Sequence, residues 1–145
     1  MRAVPRLASL AATCGALLLV ASAPAAAQRT HTVRMLGDEK GYRFDPAELT
    51  VSPGDRVRWV MVSGGPHNVQ FDSVPAAAKA RLVAGMKDAI GELTGPLLLN
   101  PNEEYVIPFA GLPAGRYHYV CTPHVAMSMA AAIIVRGGAR PPGSR

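Results

Sequence analysis

The sequence has little cysteine, little histidine and none of the common catalytic motifs. It contains two cysteines and four histidines in 145 residues. It has no phosphate-binding loop, no dinucleotide fingerprint and no paired-carboxylate site, so no enzymatic activity is predicted. Fifteen Lys and Arg residues against ten acidic residues leave a mild positive charge that forms no basic run. Nucleic-acid binding is therefore not expected.

Long hydrophobic runs are also scarce, and the one that is present lies at the N-terminus. Residues 7–23 carry no charge, follow Arg2 and Arg6, and are followed closely by three alanines. This pattern is typical of a secretory signal peptide that is cleaved before Gln28. We therefore predict a signal peptide over residues 1–27 and a periplasmic or extracellular location. Stable membrane insertion is not expected, because no second run is long enough to span a bilayer.

Cleavage of this segment would leave a single cysteine. Cys14 lies inside the predicted signal peptide, so Cys121 is the only thiol of residues 28–145. It cannot form an intramolecular disulfide, and the alternatives are an intermolecular bridge, a free thiol or a metal ligand. An unpaired thiol is a liability in an oxidising compartment, which favours the ligand interpretation.

Short alternating segments separated by turn residues dominate the rest of the chain. The predicted strands are 31–36, two runs within 49–62 separated by a turn at 53–55, then 67–71, 105–109, 116–121 and 130–135. Alternation predicts two inward faces, one formed by Val57, Trp59 and Met61 and one formed by Tyr117, Tyr119 and Cys121. This pattern predicts one all-β domain over residues 28–136, an antiparallel sandwich or barrel, followed by a flexible tail over 137–145.

One segment differs in kind from the strands. Residues 73–90 are rich in helix formers and predict a short helical insertion. Leu82, Met86 and Ile90 recur at every fourth position within it. We expect these three side chains to form one apolar stripe that packs on the sandwich.

Four candidate soft or nitrogen ligands lie within the ten residues "VCTPHVAMSM" at 120–129. They are Cys121, His124, Met127 and Met129. Pro123 prevents the strand from continuing, so donors from a strand end, a loop and the next strand can converge on one point. One thiol is too few for structural zinc, and Ca²⁺ and Mg²⁺ prefer oxygen ligands. A thiolate, two imidazoles and a thioether form a copper electron-transfer site.

The second imidazole has to come from elsewhere in the chain. His118 lies three residues before Cys121 and is expected on the opposite face of its strand, at the surface. His31 is near the N-terminus with no partner in view. His67 follows a Gly-Gly-Pro turn at the end of a strand and is the best candidate by elimination. The residues alone do not decide between Met127 and Met129.

Three segments resemble one protein family. "FDPAELTVSPGDRVRWV" (44–60), "GPHNVQFD" (65–72) and "GRYHYVCTPHVAMSM" (115–129) are similar to the plastocyanin/azurin-type cupredoxins, the blue copper proteins. The ligand loop, with its C-x2-H-x4-M spacing, is most similar to plastocyanin and pseudoazurin. The resemblance implies a Greek-key β-sandwich and one copper that cycles between Cu(I) and Cu(II). It implies four metal ligands: His67, Cys121, His124 and Met129, the last in the axial position.

The resemblance also implies roles for residues around the metal. Asn68 matches the residue that ties the two ligand loops together in the family. An apolar patch around His124, formed by Pro66, Pro123, Val125 and Met127, is expected to receive transient redox protein partners. Met127 is then a surface contact and not a ligand. The protein is expected to be a monomer.

These observations predict an exported one-electron carrier with a type 1 copper site. The alternative is a periplasmic copper-delivery or copper-buffering protein that uses the same ligands, although the remaining methionines are scattered and form no cluster. A thiol nucleophile is disfavoured, because no third group orients Cys121 and His124. An oxidase or reductase domain would need a second copper centre, for which too few histidines remain.

Overall fold

The computed structural model describes residues 27–137 of the chain. The predicted signal peptide and tail lie outside these residues except at positions 27 and 137, so their boundaries stay predictions. This part of the chain contains eight strands: β1 Thr30–Asp38, β2 Gly41–Asp45, β3 Glu48–Val51, β4 Arg56–Met61, β5 Gln70–Ser73, β6 Glu104–Pro108, β7 Gly115–Val120 and β8 Ala130–Val135. A short helix, α1, spans Lys79–Gly85 and directly follows a 3-10 turn at Ala76–Ala78.

The strands form two four-stranded sheets, in the orders β2-β1-β4-β6 and β3-β8-β7-β5. The predicted β-sandwich with a helical insertion is confirmed. Each sheet also contains one parallel pair, β1 with β4 and β3 with β8, beside its antiparallel pairs. β1 and β4 run in the same direction because the chain crosses to the second sheet at β3 and returns through the turn after Val51.

The core lies between the sheets and is built from the alternating faces of the strands. Along β4 the side chains at alternate positions are buried, which confirms the predicted inward face of Val57, Trp59 and Met61. Tyr119 of β7 packs its ring edge-on against Trp59, with centroids 5.5 Å apart. Cys121 follows Tyr119 on the same buried face. The strand pattern therefore carries this thiol directly into the end of the core.

The helical insertion is shorter than its apolar stripe predicted. Leu82 and Met86 are buried, but Ile90 is 62% exposed. The expectation for Ile90 is wrong because α1 ends at Gly85 and Met86 is already extended, so a spacing of four no longer marks one face. No helix within residues 27–137 is long and apolar enough to cross a membrane.

Two further features were not predicted. β2 escaped the sequence analysis because Phe44 is the one fully buried side chain among its five residues. His31 was expected to have no partner, but its Nε2 lies 2.8 Å from Oδ2 of Asp55. β1 and β4 pair in parallel and bring His31 beside the start of β4, which their sequence separation does not reveal.

Candidate metal centre

His67 lies between β4 and β5 and is held by two kinds of hydrogen bond. Its backbone pairs reciprocally with Leu98, through His67 N to Leu98 O at 3.0 Å and Leu98 N to His67 O at 2.7 Å. Its ring Nε2 donates to the carbonyl oxygen of Ser63 at 2.8 Å. This bond fixes the tautomer and leaves Nδ1 as a free acceptor, the usual arrangement for a metal-binding histidine.

The loop after β7 supplies the other candidate ligands. The Cys121 N–H donates to the Met129 carbonyl at 3.0 Å, which closes the base of the loop. Within the loop, His124 N donates to Cys121 O at 3.0 Å and Met129 N donates to His124 O at 3.3 Å. Two short 3-10 turns meet at His124, and Ser128 takes a left-handed conformation with φ of 62° to end them. Backbone bonds therefore link Cys121, His124 and Met129, the three ligands that the family resemblance implies for this loop.

The side chains from the two segments converge. One ligand atom each from His67, Cys121 and His124 lies within 4.8 Å of the other two. The Cys121 Sγ is 3.6 Å from Nδ1 of His67 and 3.4 Å from Nδ1 of His124. Met129 is also fully buried, whereas Met127 is 48% exposed. This burial pattern favours Met129 over Met127 as the thioether next to the cluster.

Burial controls the protonation of the three polar side chains. Burial lowers the pKa of His67, against the opposing effect of its bond to the Ser63 carbonyl. Burial and the proximity of His67 lower the pKa of His124. Burial raises the pKa of the Cys121 thiol, while backbone hydrogen bonds from Asn68 and His124 act in the opposite direction. The two imidazoles are thus favoured in the neutral form that binds metals.

Asn68 connects the two ligand segments. Its Oδ1 accepts hydrogen bonds from the backbone N–H and the hydroxyl of Thr122, at 2.8 Å and 3.0 Å. Thr122 directly follows Cys121, and Asn68 directly follows His67. The position of one ligand therefore constrains the other even before a metal binds.

His124 is nearly buried, and its neighbours in the chain, Pro123 and Val125, are exposed. The exposed fraction of His124 is 6%, and all four predicted patch residues are exposed: Pro66, Pro123, Val125 and Met127. Leu99, which directly follows the backbone partner of His67, is a further exposed apolar side chain, at 61%.

Tyr42 was missed by the sequence analysis. Its ring stacks on the imidazole of His124, with centroids 3.8 Å apart and an interplanar angle of 16°. Tyr42 comes from β2, a strand that the sequence pattern did not predict. No motif in the sequence joins the two residues, since 82 positions separate them and only the folded sheet brings them together.

The other two histidines are structural surface residues. His31 bonds to Asp55, and Nδ1 of His118 lies 2.6 Å from Oδ1 of Asp72. Within residues 27–137, the cluster of His67, Cys121 and His124 is the one group of three His, Cys, Asp or Glu side chains arranged to hold a metal ion. One thiol, two imidazoles and a buried thioether fit copper better than zinc, calcium or magnesium.

Comparisons with known proteins point the same way. Residues 31–136 match the copper-binding proteins of the plastocyanin/azurin family. A plastocyanin from Synechococcus sp. is 40% identical over 116 residues, which cover 80% of this chain and 79% of that protein. The structure of oxidised plastocyanin from Dryopteris crassirhizoma is 31% identical, with a TM-score of 0.56, and the match covers 73% of this chain and 100% of that one.

A pseudoazurin structure from Sinorhizobium is similar as well. It is 27% identical with a TM-score of 0.50, and the match covers 77% of each chain. The predicted resemblance to cupredoxins is therefore confirmed, and one copper ion, Cu(I) or Cu(II), is the cofactor that the donor set fits. This chain belongs to the plastocyanin/azurin family of copper-binding proteins.

Proposed function

We propose that this protein is an exported one-electron carrier that binds copper through His67, Cys121, His124 and Met129. The observation that carries the proposal is the buried convergence of three donor atoms within 4.8 Å of one another. Relatives named plastocyanin, similar over most of the chain, support the carrier role.

The surrounding protein is suited to hold one ligand geometry in both oxidation states. Bound copper supplies one-electron chemistry by changing between Cu(II) and Cu(I). The backbone N–H and C=O of His67 both form hydrogen bonds with Leu98, and the N–H of Cys121 donates to the carbonyl of Met129. Ligands held by backbone pairs and packed in a core have little freedom to move, so little has to rearrange when an electron arrives or leaves.

The electron would pass at the side of His124 that faces the surface. The apolar patch formed by Pro66, Pro123, Val125 and Met127 surrounds this point, and Val125 and Met127 are 58% and 48% exposed. A small apolar surface with a soft methionine suits weak encounters with other redox proteins. We propose transient redox protein partners, no nucleic-acid partner and a monomeric carrier.

Export and the lack of catalysis complete the proposal. The charge pattern and alanines of residues 1–27 support a cleaved signal peptide and a periplasmic or extracellular location. No stable membrane insertion is proposed. The cluster contains one thiol and two imidazoles and no carboxylate, which supports electron transfer and not an enzymatic reaction of its own.

The test is the visible absorption spectrum of the purified protein with one equivalent of Cu(II). We expect an intense thiolate-to-copper charge-transfer band that ascorbate bleaches reversibly and that Cys121→Ser abolishes. Met129→Leu should shift the band, and the matched control Met127→Leu should leave it unchanged.

Two results would contradict the proposal in different ways. A band that survives in Cys121→Ser would mean that copper binds elsewhere. Tight copper binding with no intense band would argue against the carrier. It would favour the copper-delivery or copper-buffering alternative, which fast transfer of copper to a chelator would then support.

A further inference from the structure

The two imidazoles of the metal centre are held in different ways. His67 donates its Nε2 proton to the Ser63 carbonyl at 2.8 Å. Within residues 27–137, no such hydrogen bond involves Nε2 of His124, whose ring contacts Cys121 through Nδ1 and Tyr42 through its face. A metal-bound histidine is usually oriented by a hydrogen bond from its second ring nitrogen. His67 has such a bond, whereas His124 has the stacked ring of Tyr42 in its place.

Tyr42 packs its ring against Gly37, where a side chain would leave no room for it. A Cβ on Gly37 would lie 2.6 Å from a ring carbon of Tyr42 and 2.9 Å from the Cα of Gly64. Gly64 itself has a φ of 74° and packs its backbone against Gly37. A side chain at Gly37 would push the ring away, and one at Gly64 would displace the backbone of Gly37. Gly37 therefore forms one wall beside the ring, and Gly64 packs against Gly37.

The ring also bridges both imidazoles. Its face covers His124 at 3.8 Å, and its edge approaches His67 with centroids 6.3 Å apart and an angle of 71°. A single side chain thus spans the two nitrogen ligands from the side of β2. Tyr42 is half-buried, so the ring contacts both imidazoles and keeps part of its surface in solvent.

From this geometry we propose that Tyr42 is the positioning residue for His124, and that its stacked ring sets the preference of the site for Cu(II) over Cu(I). The inference rests on the proposed copper ligands. Its physical basis is electrostatic, since an imidazole bound to Cu(II) carries more positive charge than one bound to Cu(I). An electron-rich ring face attracts positive charge, so the stack favours the oxidised state.

Two effects of removing the ring act in the same direction. Without the ring, the oxidised state loses its electrostatic partner. His124 also gains freedom to leave its position, which Cu(I) tolerates better because its soft thiolate and thioether ligands remain. Both effects weaken Cu(II) binding relative to Cu(I) binding, and the reduction potential should rise.

The test compares four proteins, each loaded with one equivalent of copper: wild type, Tyr42→Leu, Tyr42→Met and Tyr42→Phe. The first two replacements remove the ring and keep apolar bulk, and Phe keeps the ring. For Leu and Met we expect a three- to tenfold loss in the ratio of Cu(II) to Cu(I) affinity, an upward shift in potential of about 30–60 mV. The charge-transfer band should shift with it, and Phe should restore both values to those of wild type.

A control at the far end of the sandwich separates positioning from general loosening. Val51→Ala removes buried bulk where β3 ends, and it should lower the stability of the metal-free protein without moving the potential or the band. The proposal is wrong if Leu and Met leave the potential and the band at wild-type values, or if Phe shifts them as far as Leu does. If wild type itself shows no charge-transfer band, the proposed copper function fails, which is a different result.

Discussion

The two ends of the sandwich both bury polar side chains, but they satisfy them differently. At the Asp55 end, where β4 begins, the buried carboxylate accepts hydrogen bonds from the backbone of Arg29 and Ser52 and from His31, at 3.1, 2.9 and 2.8 Å. At the metal end, where β7 ends, Cys121 and the two imidazoles face one another. The closest polar distances among these three side chains are 3.4 and 3.6 Å, both to sulfur, and the one short bond to another group joins His67 Nε2 to the Ser63 carbonyl at 2.8 Å.

This difference separates a structural polar cluster from a functional one. Buried polar groups cost stability unless they are hydrogen-bonded, so a cluster that satisfies itself is explained by the fold. At the metal end the ring nitrogens and the sulfur gain little from one another in the metal-free protein. The cost of burying them is offset when a metal binds, and that makes the metal end, and not the Asp55 end, the place to look for a ligand.

The largest effect should come from adding copper. At a free Cu(II) concentration of 1,000 times the dissociation constant, copper should raise the free energy of unfolding of the wild-type protein by about 4 kcal/mol. Cys121→Ser should lose most of this gain, because it removes the thiolate. Denaturant unfolding of wild type and of Cys121→Ser, with and without excess Cu(II), measures the gain in each protein.

A matched histidine variant tests whether the gain belongs to the metal end. His118→Gln removes an imidazole that pairs with Asp72 on the outer face of β7. It should keep the full copper gain. If it loses as much as Cys121→Ser, surface binding and not the buried cluster would account for the stabilisation.

The next largest effect should come from the Asp55 end. Asp55→Asn turns one acceptor oxygen into a donor that faces the existing N–H donors, and it should cost about 1–3 kcal/mol of stability. The control Asp45→Asn removes an exposed carboxylate that lies 3.5 Å from Arg34, and it should change the stability by less than about 0.5 kcal/mol. Equal losses for the two variants would mean that burial does not distinguish them.

The same variant has a predicted pH dependence. Burial would raise the pKa of Asp55, but its bonds with His31 and with the backbone of Ser52 and Arg29 outweigh burial and lower the pKa from the ordinary value of 3.8. A carboxylate with a lowered pKa stabilises the fold fully above 3.8 and loses this contribution as the pH falls through its folded-state pKa. The stability difference between wild type and Asp55→Asn should therefore be constant near neutral pH and shrink below pH 3.8.

The sequence predicts the strands of the core better than the edges. β4 and β7 were predicted because buried residues alternate with more exposed ones along most of their length. β2 was not predicted, since four of its five residues are exposed or half-buried. The end of α1 was misplaced because a spacing of four between Leu82, Met86 and Ile90 shows only which residues would share a face if a helix continued.

The candidate site divides in the same way. Cys121, His124 and the methionines are close in sequence, and donor chemistry alone suggested a metal there. His67 needed elimination and a family resemblance, because 54 residues separate it from Cys121. Tyr42 and the partnership of His31 with Asp55 could not be predicted, since both depend on which strands become neighbours in a sheet.

A smaller effect is expected at the surface of the metal end. Met127→Lys places a positive charge in the patch beside His124, so two such proteins should repel each other when these patches meet. Electron self-exchange between the Cu(I) and Cu(II) forms should slow by about tenfold at low salt and recover at high salt. The control Ile90→Lys changes an apolar side chain that is 62% exposed outside the patch. An equal slowing in this control would show that net charge, and not the patch, sets the rate.

The smallest effect should come from the hydrogen bonds between Asn68 and Thr122 at the metal end. Thr122→Val removes the hydroxyl that donates to Asn68 at 3.0 Å, while the backbone bond of Thr122 at 2.8 Å stays. We expect a loss of about 1 kcal/mol in the stability of the metal-free protein and no change in the visible spectrum of the copper form. The control Thr32→Val removes an exposed hydroxyl beside Arg58 and should cost less. A shifted spectrum without a loss of stability would instead mean that this pair acts on the ligands and not on the fold. In that case the hydrogen bonds of Asn68 would belong with the metal site, and only the Asp55 end would hold polar groups that serve the fold alone.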